Sequence, residues 1–199
     1  DNGPEDYHIG NAANAGLGFP GPLRARKRSL YEGGLRTPLV VRWPGKVPAG
    51  RTDSTSVLAS VDFLPTLAHL AGAAPPDCRP DGEDVSDILL GKARPRTRPI
   101  YWEWRGGVAG DPVYLPPRLA VRDGRWKLFC EFDGSNVQLY DIPADHEERN
   151  NLAPQQPDVV ARLKALVLDW KQTLPEGPVQ PAQTGKGPRR PRAARPGAR

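Results

Sequence analysis

Four residues at the start of the sequence, Asp1-Asn2-Gly3-Pro4, offer oxygen atoms of the kind that hard cations prefer. A carboxylate beside a carboxamide supplies two such ligands, and the glycine lets the backbone turn tightly. The pair therefore suits Ca²⁺ or Mg²⁺. Asp-Asn and Asn-Gly pairs also form ordinary turns, and a turn is the alternative interpretation of these residues.

A second group with chemical potential is the run of four cations Arg24, Arg26, Lys27 and Arg28. Such a run usually forms a solvated patch. Here it lies between a Gly/Pro-rich loop and an apolar run, near the predicted end of a sheet, where ligands of open α/β proteins bind. A lysine can hold an oxyanion there as a compact charge, and at about 4 Å with an effective dielectric near 20 the pair contributes roughly 4 kcal/mol before desolvation.

The first elements that must position these residues follow a Gly-, Pro- and Asn-rich loop at 3–22. Residues 39–43 form an apolar run, Leu-Val-Val-Arg-Trp, which Pro44-Gly45 closes. This pattern predicts a buried strand.

Two helices are predicted next. Residues 63–71 have apolar side chains at helical spacing, with Asp62 as the N-cap, Pro65 in the first turn and Gly72 at the end. Residues 85–90 predict a second, short helix.

After about residue 98 the pattern changes to short alternating runs. We predict a strand at 100–104, a hairpin with arms at 119–122 and 126–132 around a type I′ turn at Asp123-Gly124, and a third antiparallel strand at 137–142.

A closing helix is predicted from Pro157 to about Thr173, because apolar residues recur there at helical spacing. The sequence therefore predicts an α/β part at 1–98 and a small antiparallel sheet with a packed helix at 99–175. Residues 176–199, rich in Pro, Arg, Ala and Gly, predict a disordered basic tail that cannot bury a core.

Composition limits the classes of protein. The net charge of the 199 residues is +5, but residues 177–199 carry six cations and no acid, so the remainder is nearly neutral. No apolar run reaches the ~18 residues that a membrane span needs. The two cysteines, Cys78 and Cys130, are predicted to be free thiols, although one bridge is arithmetically possible. The absence of Met and the start at Asp1 predict a processed product or a fragment.

The two candidate segments together resemble the second signature region of the sulfatase family, within the alkaline-phosphatase-like superfamily. That pattern is Ser-Asp-Asn-Gly, a variable Gly-rich loop, Gly-Lys-x-Ser/Thr-x-x-Glu-Gly-Gly-x-Arg-x-Pro, and a strand ending in Trp-Pro-Gly. This sequence has DNGPE at 1–5 and PLRARKRSLYEGGLRTPLVVRWPGKVPAG at 22–50. Further matches are SVDFLPTLAHLAG at 60–72, RDGRWKLF at 122–129 and LYDIPADHEERNNLA at 139–153. The resemblance covers residues 1 to about 175.

The resemblance implies a fold and several roles. The chain is expected to be the C-terminal remnant of the mixed-sheet α/β domain of an arylsulfatase or N-acetylgalactosamine-6-sulfatase type, followed by the small antiparallel sheet and helix. Asp1 and Asn2 would bind Ca²⁺, and Lys27 would be the catalytic residue that binds the sulfate. His8 lies in the loop that lines family active sites, which makes it a candidate substrate contact; an ordinary surface histidine is the alternative.

Neighbouring residues are expected to be structural. Arg26 stands where the family usually has glycine. Glu32 is predicted to pair locally, and Gly33 and Gly34 to permit a close approach of the backbone. His69, on a predicted helix, and His146, in a predicted turn, are predicted to have structural roles.

Other parts of the family mechanism have no counterpart here. The family nucleophile is a formylglycine made from Cys or Ser in Cys-x-Pro-x-Arg, and an early Asp-Asp pair and two histidines complete the site. Cys78-Arg79-Pro80-Asp81-Gly82 imitates the start of that motif but ends in glycine, so Cys78 is predicted to be a loop residue. We expect the nucleophile upstream, and no turnover from this chain alone.

The resemblance also implies partners and location. The substrate would be a sulfate ester, in particular of a sulfated carbohydrate such as a 6-sulfated hexosamine, and no nucleic acid or membrane span is expected. A periplasmic, secreted or lysosomal location fits the family, although the chain itself gives none. The alternatives are a phosphodiesterase or phosphonate hydrolase of the same superfamily, and a non-enzymatic anion- or nucleic-acid-binding protein that uses the basic tail.

Overall fold

The computed structural model of the protein describes residues 2–5, 17–74, 80–106 and 114–177. Its helices are α1 (Glu32–Leu35), α2 (Phe63–Leu70), α3 (Ser86–Leu89) and α4 (Pro157–Gln172). Its strands are β1 (Ile100–Glu103), β2 (Leu119–Asp123), β3 (Trp126–Cys130) and β4 (Gln138–Asp141). Short 3₁₀ turns precede α2 and α4, at Ser60–Asp62 and Ala153–Gln155.

The four strands form one antiparallel sheet in the order β1-β2-β3-β4. The predicted strands and the hairpin are confirmed, but the predicted turn is wrong by one residue. Asp123 pairs with Trp126, so the two central residues of the turn are Gly124 and Arg125. Only Gly124 has a positive φ, of 57°. A positive φ at the first central position alone is the pattern of a type II′ turn.

The predicted closing helix is also confirmed, and it covers one face of the sheet. Leu163 and Val167 of α4 have no exposed surface and pack against the alternate strand residues that point toward the helix. The ring of Trp170 stacks on Tyr101 of β1, with the centroids 5.1 Å apart. This face is one of two apolar cores.

The opposite face of the sheet is covered by residues 25–35. Tyr31 is almost fully buried there, with its ring centroid 5.2 Å from that of Phe129 of β3. Ala25 and Leu30 pack into the same core. The loop that carries Lys27 is therefore placed by the sheet. The predicted division at residue 98 stays a prediction.

The part that contains α2 and α3 is held by polar contacts. The helix predicted at 63–71 is confirmed, and Gly72 ends it with a φ of 65°. Asp62 makes no capping bond to α2. Its carboxylate instead accepts hydrogen bonds from the N–H groups of Ala59 and Glu83, and from both terminal nitrogens of Arg96.

The strand predicted at 39–43 is wrong. These residues have no strand structure, and Val40 is 89% exposed. A strand is stable only where a neighbouring strand pairs with its backbone groups, and the sheet of the described residues contains only β1 to β4. Residues 39–43 have the apolar pattern of a strand, but none of the described strands pairs with them.

Cys130 is a buried free thiol, as predicted, whereas Cys78 lies outside the described residues. Across the described ranges, none of the helices has the length and apolar character needed to cross a membrane.

Candidate functional site

Lys27 lies on a tight loop whose backbone is strained on both sides of it. Ala25 and Arg28 have φ values of 66° and 75°, in the left-handed region that residues with a Cβ rarely adopt. Lys27 is half-buried, and its backbone N–H donates a hydrogen bond to the carbonyl oxygen of Pro4, at 3.0 Å. Strain of this kind persists only where surrounding contacts maintain it. It is found most often at functional sites.

The structure brings the first candidate segment against the second. Arg28 donates two hydrogen bonds to the carboxylate of Glu5, at 2.9 and 3.0 Å, in the fork geometry that makes such pairs strong. Arg26 donates to the carbonyl oxygen of Glu5 at 3.2 Å. The segment at residues 2–5 is therefore held against the loop of Lys27, although the two segments are far apart in the sequence.

Glycines make this approach possible. Gly3 has a φ of 80°, and a Cβ there would lie closer than 3.0 Å to the carbonyl oxygen of Gly33. A Cβ on Gly33 would collide with the carbonyl oxygens of Arg24 and Ala25. Gly34 is just as close to the loop backbone. The prediction that Gly33 and Gly34 permit close backbone approach is confirmed.

Lys27 lines an open cleft of about 830 Å³ beside this contact. Its lining also includes Arg36 and Glu5, whose carboxylate is paired with Arg28, and Phe19 and Pro38 add apolar surface. Two cations in one cleft suit an anionic group on an otherwise apolar or sugar-like ligand. Arg36 had no predicted role, although its place in the Glu-Gly-Gly-x-Arg-x-Pro pattern was a signal.

The run of cations is not a solvated patch. Arg24 donates to the hydroxyl of Tyr140 at 3.2 Å and to the carbonyl oxygen of Glu148 at 2.9 Å. Its guanidinium also lies 3.8 Å from the ring centroid of Tyr31. Burial raises the pKa of Tyr31 to about 12. Arg24, Arg26 and Arg28 therefore have structural contacts that shape the loop around Lys27.

Behind the loop lies a buried ionic cluster. Lys127 of β3 has no exposed surface, and its ammonium lies 2.7 Å from Glu32 Oε1 and 3.0 Å from Glu148 Oε1. The other oxygen of Glu148 accepts the backbone N–H of Glu32 at 2.6 Å. The prediction that Glu32 pairs locally is wrong, because its partner is 95 residues away along the chain.

The charges of this cluster perturb both carboxylates. Burial alone would raise the pKa of Glu32, but the ammonium of Lys127 and the guanidinium of Arg122 outweigh it and lower that pKa. Burial raises the pKa of Glu148, and Lys127 offsets this only in part. Neither carboxylate faces the cleft that Lys27 lines, so both belong to the support of the site.

Of the two predicted metal ligands, the structure describes Asn2. Asp1 and His8 lie outside the described residues, and Asn2 is exposed next to Gly3. The described residues contain no group of three or more His, Cys, Asp or Glu side chains that could hold a metal ion. The donor type of Asn2 suits calcium, but one or two oxygens fall short of the about six to eight that calcium takes. The calcium site stays a prediction.

The two histidines away from the loop have no partner in the cleft. His69 of α2 pairs through Nδ1 with Asp84 Oδ2, at 2.5 Å, and His146 is exposed in a turn. The pair with Asp84 agrees with the structural role predicted for His69, and the role of His146 stays a prediction.

The sequence matches one family model, described as N-sulphoglucosamine sulphohydrolase, C-terminal, over residues 25–173. The match includes the loop of Lys27, the ionic cluster, the sheet and α4.

Relatives agree with that match. Arylsulfatase A from Homo sapiens is 32% identical, and the alignment covers 94% of this chain and 39% of the relative. N-acetylgalactosamine-6-O-sulfatase from Bacteroides thetaiotaomicron is 33% identical over 74% of this chain and 29% of the relative. The chain thus spans about a third of the length of these proteins.

A solved structure has the same fold. It contains a protein in complex with its substrate, D-glucosamine-2-N,6-O-disulfate, with a TM-score of 0.54 and 25% identity. The superposition covers 71% of this chain and 29% of that one.

Proposed function

This chain belongs to the sulfatase family, and we propose that it forms part of an enzyme that hydrolyses the sulfate esters of carbohydrates. The observation that carries the proposal is the placement of Lys27. Its loop is strained, its backbone contacts the segment at residues 2–5, and Lys27 lines a cleft together with a second cation, Arg36.

The proposed role of Lys27 is electrostatic. A sulfate monoester carries one negative charge, and negative charge grows on its oxygens and on the leaving alcohol as the ester bond breaks. An ammonium fixed beside the sulfate stabilises that charge more in the transition state than in the ground state, which is the condition for a faster reaction. Half-burial strengthens the interaction because less water screens it.

The remaining chemistry is proposed to come from elsewhere in a longer protein. We infer that a formylglycine nucleophile outside this chain attacks the sulfur and that the alcohol leaves. Asp1 and Asn2 would contribute to a calcium site with further ligands outside this chain, and calcium when bound would polarise the sulfate oxygens. His8 remains a proposed substrate contact.

The substrate class rests on the relatives. One relative is named for the 6-O-sulfate of N-acetylgalactosamine, and the matching solved structure holds a glucosamine disulfate. The cleft has apolar walls beside its two cations, which suits a sugar ring with an anionic substituent. We therefore propose a sulfated carbohydrate, with a 6-sulfated hexosamine as the first substrate to test.

The decisive experiment measures sulfate-ester hydrolysis by the complete enzyme that contains this chain. Changing Lys27→Ala should lower kcat/KM by about 10²–10³, the usual loss for one charge-stabilising group. Lys27→Arg should not restore the activity fully, because a planar guanidinium does not replace a compact ammonium. Lys46→Ala removes an exposed lysine outside the cleft and should leave kcat/KM unchanged.

Three outcomes would contradict the proposal. Near-full activity of Lys27→Ala would remove Lys27 from the site. Preference of the complete enzyme for a phosphate diester over a sulfate ester would place it in another branch of the superfamily. Turnover by the 199-residue chain alone, lost in Lys27→Ala, would mean that the nucleophile lies within this sequence.

A further inference from the structure

We propose that Lys127 and Glu148 are positioning residues that hold the Lys27 loop in its strained shape from the sheet face beneath it. The inference rests on the proposed function of Lys27 and concerns how its side chain is kept in place. Neither residue lines the cleft, and neither is assigned a role by the matches to other proteins.

The first observation is a repulsion between two cations of the sheet, which no group of the sheet neutralises. Arg122 of β2 and Lys127 of β3 are direct cross-strand partners, so two cations face the same side of the sheet. Like charges at such positions repel, and Lys127 has no exposed surface through which water could screen it. Carboxylates must therefore come to this face from outside the sheet.

Both carboxylates come from segments that frame the loop. Glu32, the first residue of α1, lies 2.7 Å from Lys127 Nζ and 4.0 Å from Arg122 Nη1. Glu148 supplies the second carboxylate, 3.0 Å from Lys127. Packing of α1 on the sheet is thus coupled to charge neutralisation of β3.

Glu148 contacts the loop at both ends. Its side chain accepts the N–H of Glu32, where the loop ends, at 2.6 Å, and its backbone carbonyl accepts from Arg24, where the loop begins, at 2.9 Å. Glu148 itself has a φ of 53°, in the left-handed region. The contact pins residues 24 and 32 to a common point and leaves Lys27 between them.

Strain in the described residues concentrates here. Four non-glycine residues have a positive φ, and three of them belong to this arrangement: Ala25 and Arg28 beside Lys27, and Glu148 behind it. Strained backbone persists only where surrounding contacts over-determine it. The buried cluster contributes to this beside the backbone bond from Gly33 N–H to the carbonyl oxygen of Arg24, at 2.8 Å, and the bonds of Lys27 and Arg28 to residues 4 and 5. A displacement of about 1 Å at a reacting group can lower a rate about 100-fold.

The first test is hydrogen exchange of residues 24–36, which needs no enzymatic activity. Lys127→Met removes the charge and keeps the length of the side chain. Glu148→Gln is milder, because its amide oxygen can still accept the N–H of Glu32. Arg96→Met is the matched control, since Arg96 pairs with the fully buried Asp62 and its hydrogen bonds do not reach the Lys27 loop.

The expected result is exchange at least tenfold faster at the amides of Lys27 and Gly33 in Lys127→Met and, to a smaller extent, in Glu148→Gln. Arg96→Met should leave these amides unchanged while exchange rises around Asp62. Unchanged loop exchange in a folded Lys127→Met or Glu148→Gln protein, or an equal rise in Arg96→Met, would overturn the proposal.

The second test uses the complete enzyme, at a temperature where every variant is folded. Glu148→Gln should lower kcat/KM and weaken inhibition by inorganic sulfate by tenfold or more, whereas Arg96→Met should change neither beyond twofold despite a similar loss in Tm. Equal effects of the two variants would reduce Glu148 to a general stability role. If the wild type hydrolyses no sulfate ester, the proposed function fails, and the exchange data alone decide whether the loop is positioned as inferred.

Discussion

Cys130 shows how the sheet treats a reactive side chain. It lies at the end of β3, has no exposed surface, and faces the core under α4. Burial raises the pKa of its thiol to about 11, because a thiolate there would lose its hydration. A thiol in such surroundings is a packing residue with low reactivity.

We expect Cys130 to resist alkylation in the folded protein. In a Cys78→Ser variant, where Cys130 is the remaining thiol, iodoacetamide at pH 8 should label almost none of the native chain, since roughly one thiol in a thousand is ionised there. In concentrated urea the same variant should be labelled fully. Rapid labelling without urea would show that β3 opens or that the thiol is not buried.

Individual site residues differ in how well the sequence predicts them. Lys27 and the two glycines follow from a motif whose spacing is local. Lys127 was missed although its surroundings carried a signal: it sits inside the apolar run Trp-Lys-Leu-Phe-Cys of a strand covered on both faces, where a lysine needs a carboxylate. Its partners Glu32 and Glu148 could not be named, because only the tertiary fold brings them together.

Among the elements, the segment that precedes α2 depends on a single carboxylate. Asp62 joins Ala59, Glu83 and Arg96, and it is fully buried. Burial favours a higher pKa for Asp62, but its hydrogen bonds from Arg96 and from two backbone N–H groups outweigh this and lower the pKa below its ordinary 3.8. A depressed pKa means that folding favours the charged form.

Asp62→Asn should therefore lower the free energy of unfolding by about 3–5 kcal/mol, the usual loss when one partner of a buried ion pair is removed. Urea unfolding followed by circular dichroism measures it. The difference from wild type should be complete above the unfolded pKa of 3.8 and should shrink as the pH falls through the lower folded pKa.

A matched change on the surface provides the comparison. Asp169→Asn removes an exposed carboxylate of α4 and should shift the free energy of unfolding by less than about 0.5 kcal/mol at any pH. If Asp62→Asn shifts it as little, or if its effect grows in acid, the assignment of Asp62 as a charged, buried link is wrong.

The elements show where local patterns suffice. The hairpin and α4 were predicted because their contacts are near in sequence or follow a clear period of two or 3.6. The prediction of a strand at 39–43 was wrong. An apolar run indicates that a segment favours burial, but it does not show which neighbouring strand would pair with it. The turn was predicted at Asp123-Gly124, one residue too early. Asp-Gly commonly supplies the two central residues of a hairpin turn, but here the strand register pairs Asp123 with Trp126 and leaves Gly124 and Arg125 in the turn.

At the scale of the whole molecule, several large apolar side chains remain on the surface. Val40 is 89% exposed, Phe19 82%, Leu64 59% and Leu67 56%. The predicted apolar face of α2 is thus largely solvated. Exposed apolar side chains favour association where they form a contiguous patch.

We expect the 199-residue chain to self-associate. Sedimentation velocity between micromolar and tenfold higher concentrations should show a rising average mass. The double change Val40→Lys and Leu64→Lys should suppress this rise, because charge on an exposed apolar or unpaired segment opposes association. Thr52→Lys together with Thr37→Lys adds the same charge at exposed polar positions and should suppress it less. A monomeric wild type across this range would contradict the expectation.

The distance along the chain between Glu32 and its partners also sets an order of events during synthesis. Lys127 follows Glu32 by 95 residues and Glu148 by 116, so the loop that carries Lys27 leaves the ribosome well before the residues that hold it. At about 5–20 residues per second, the interval to Lys127 is roughly 5–20 s. Throughout it, Glu32 has no lysine to meet and the run at 39–43 is exposed. Closing so long a loop is entropically slow, so the loop that carries Lys27 gains its buried contacts late and stays within reach of chaperones until then.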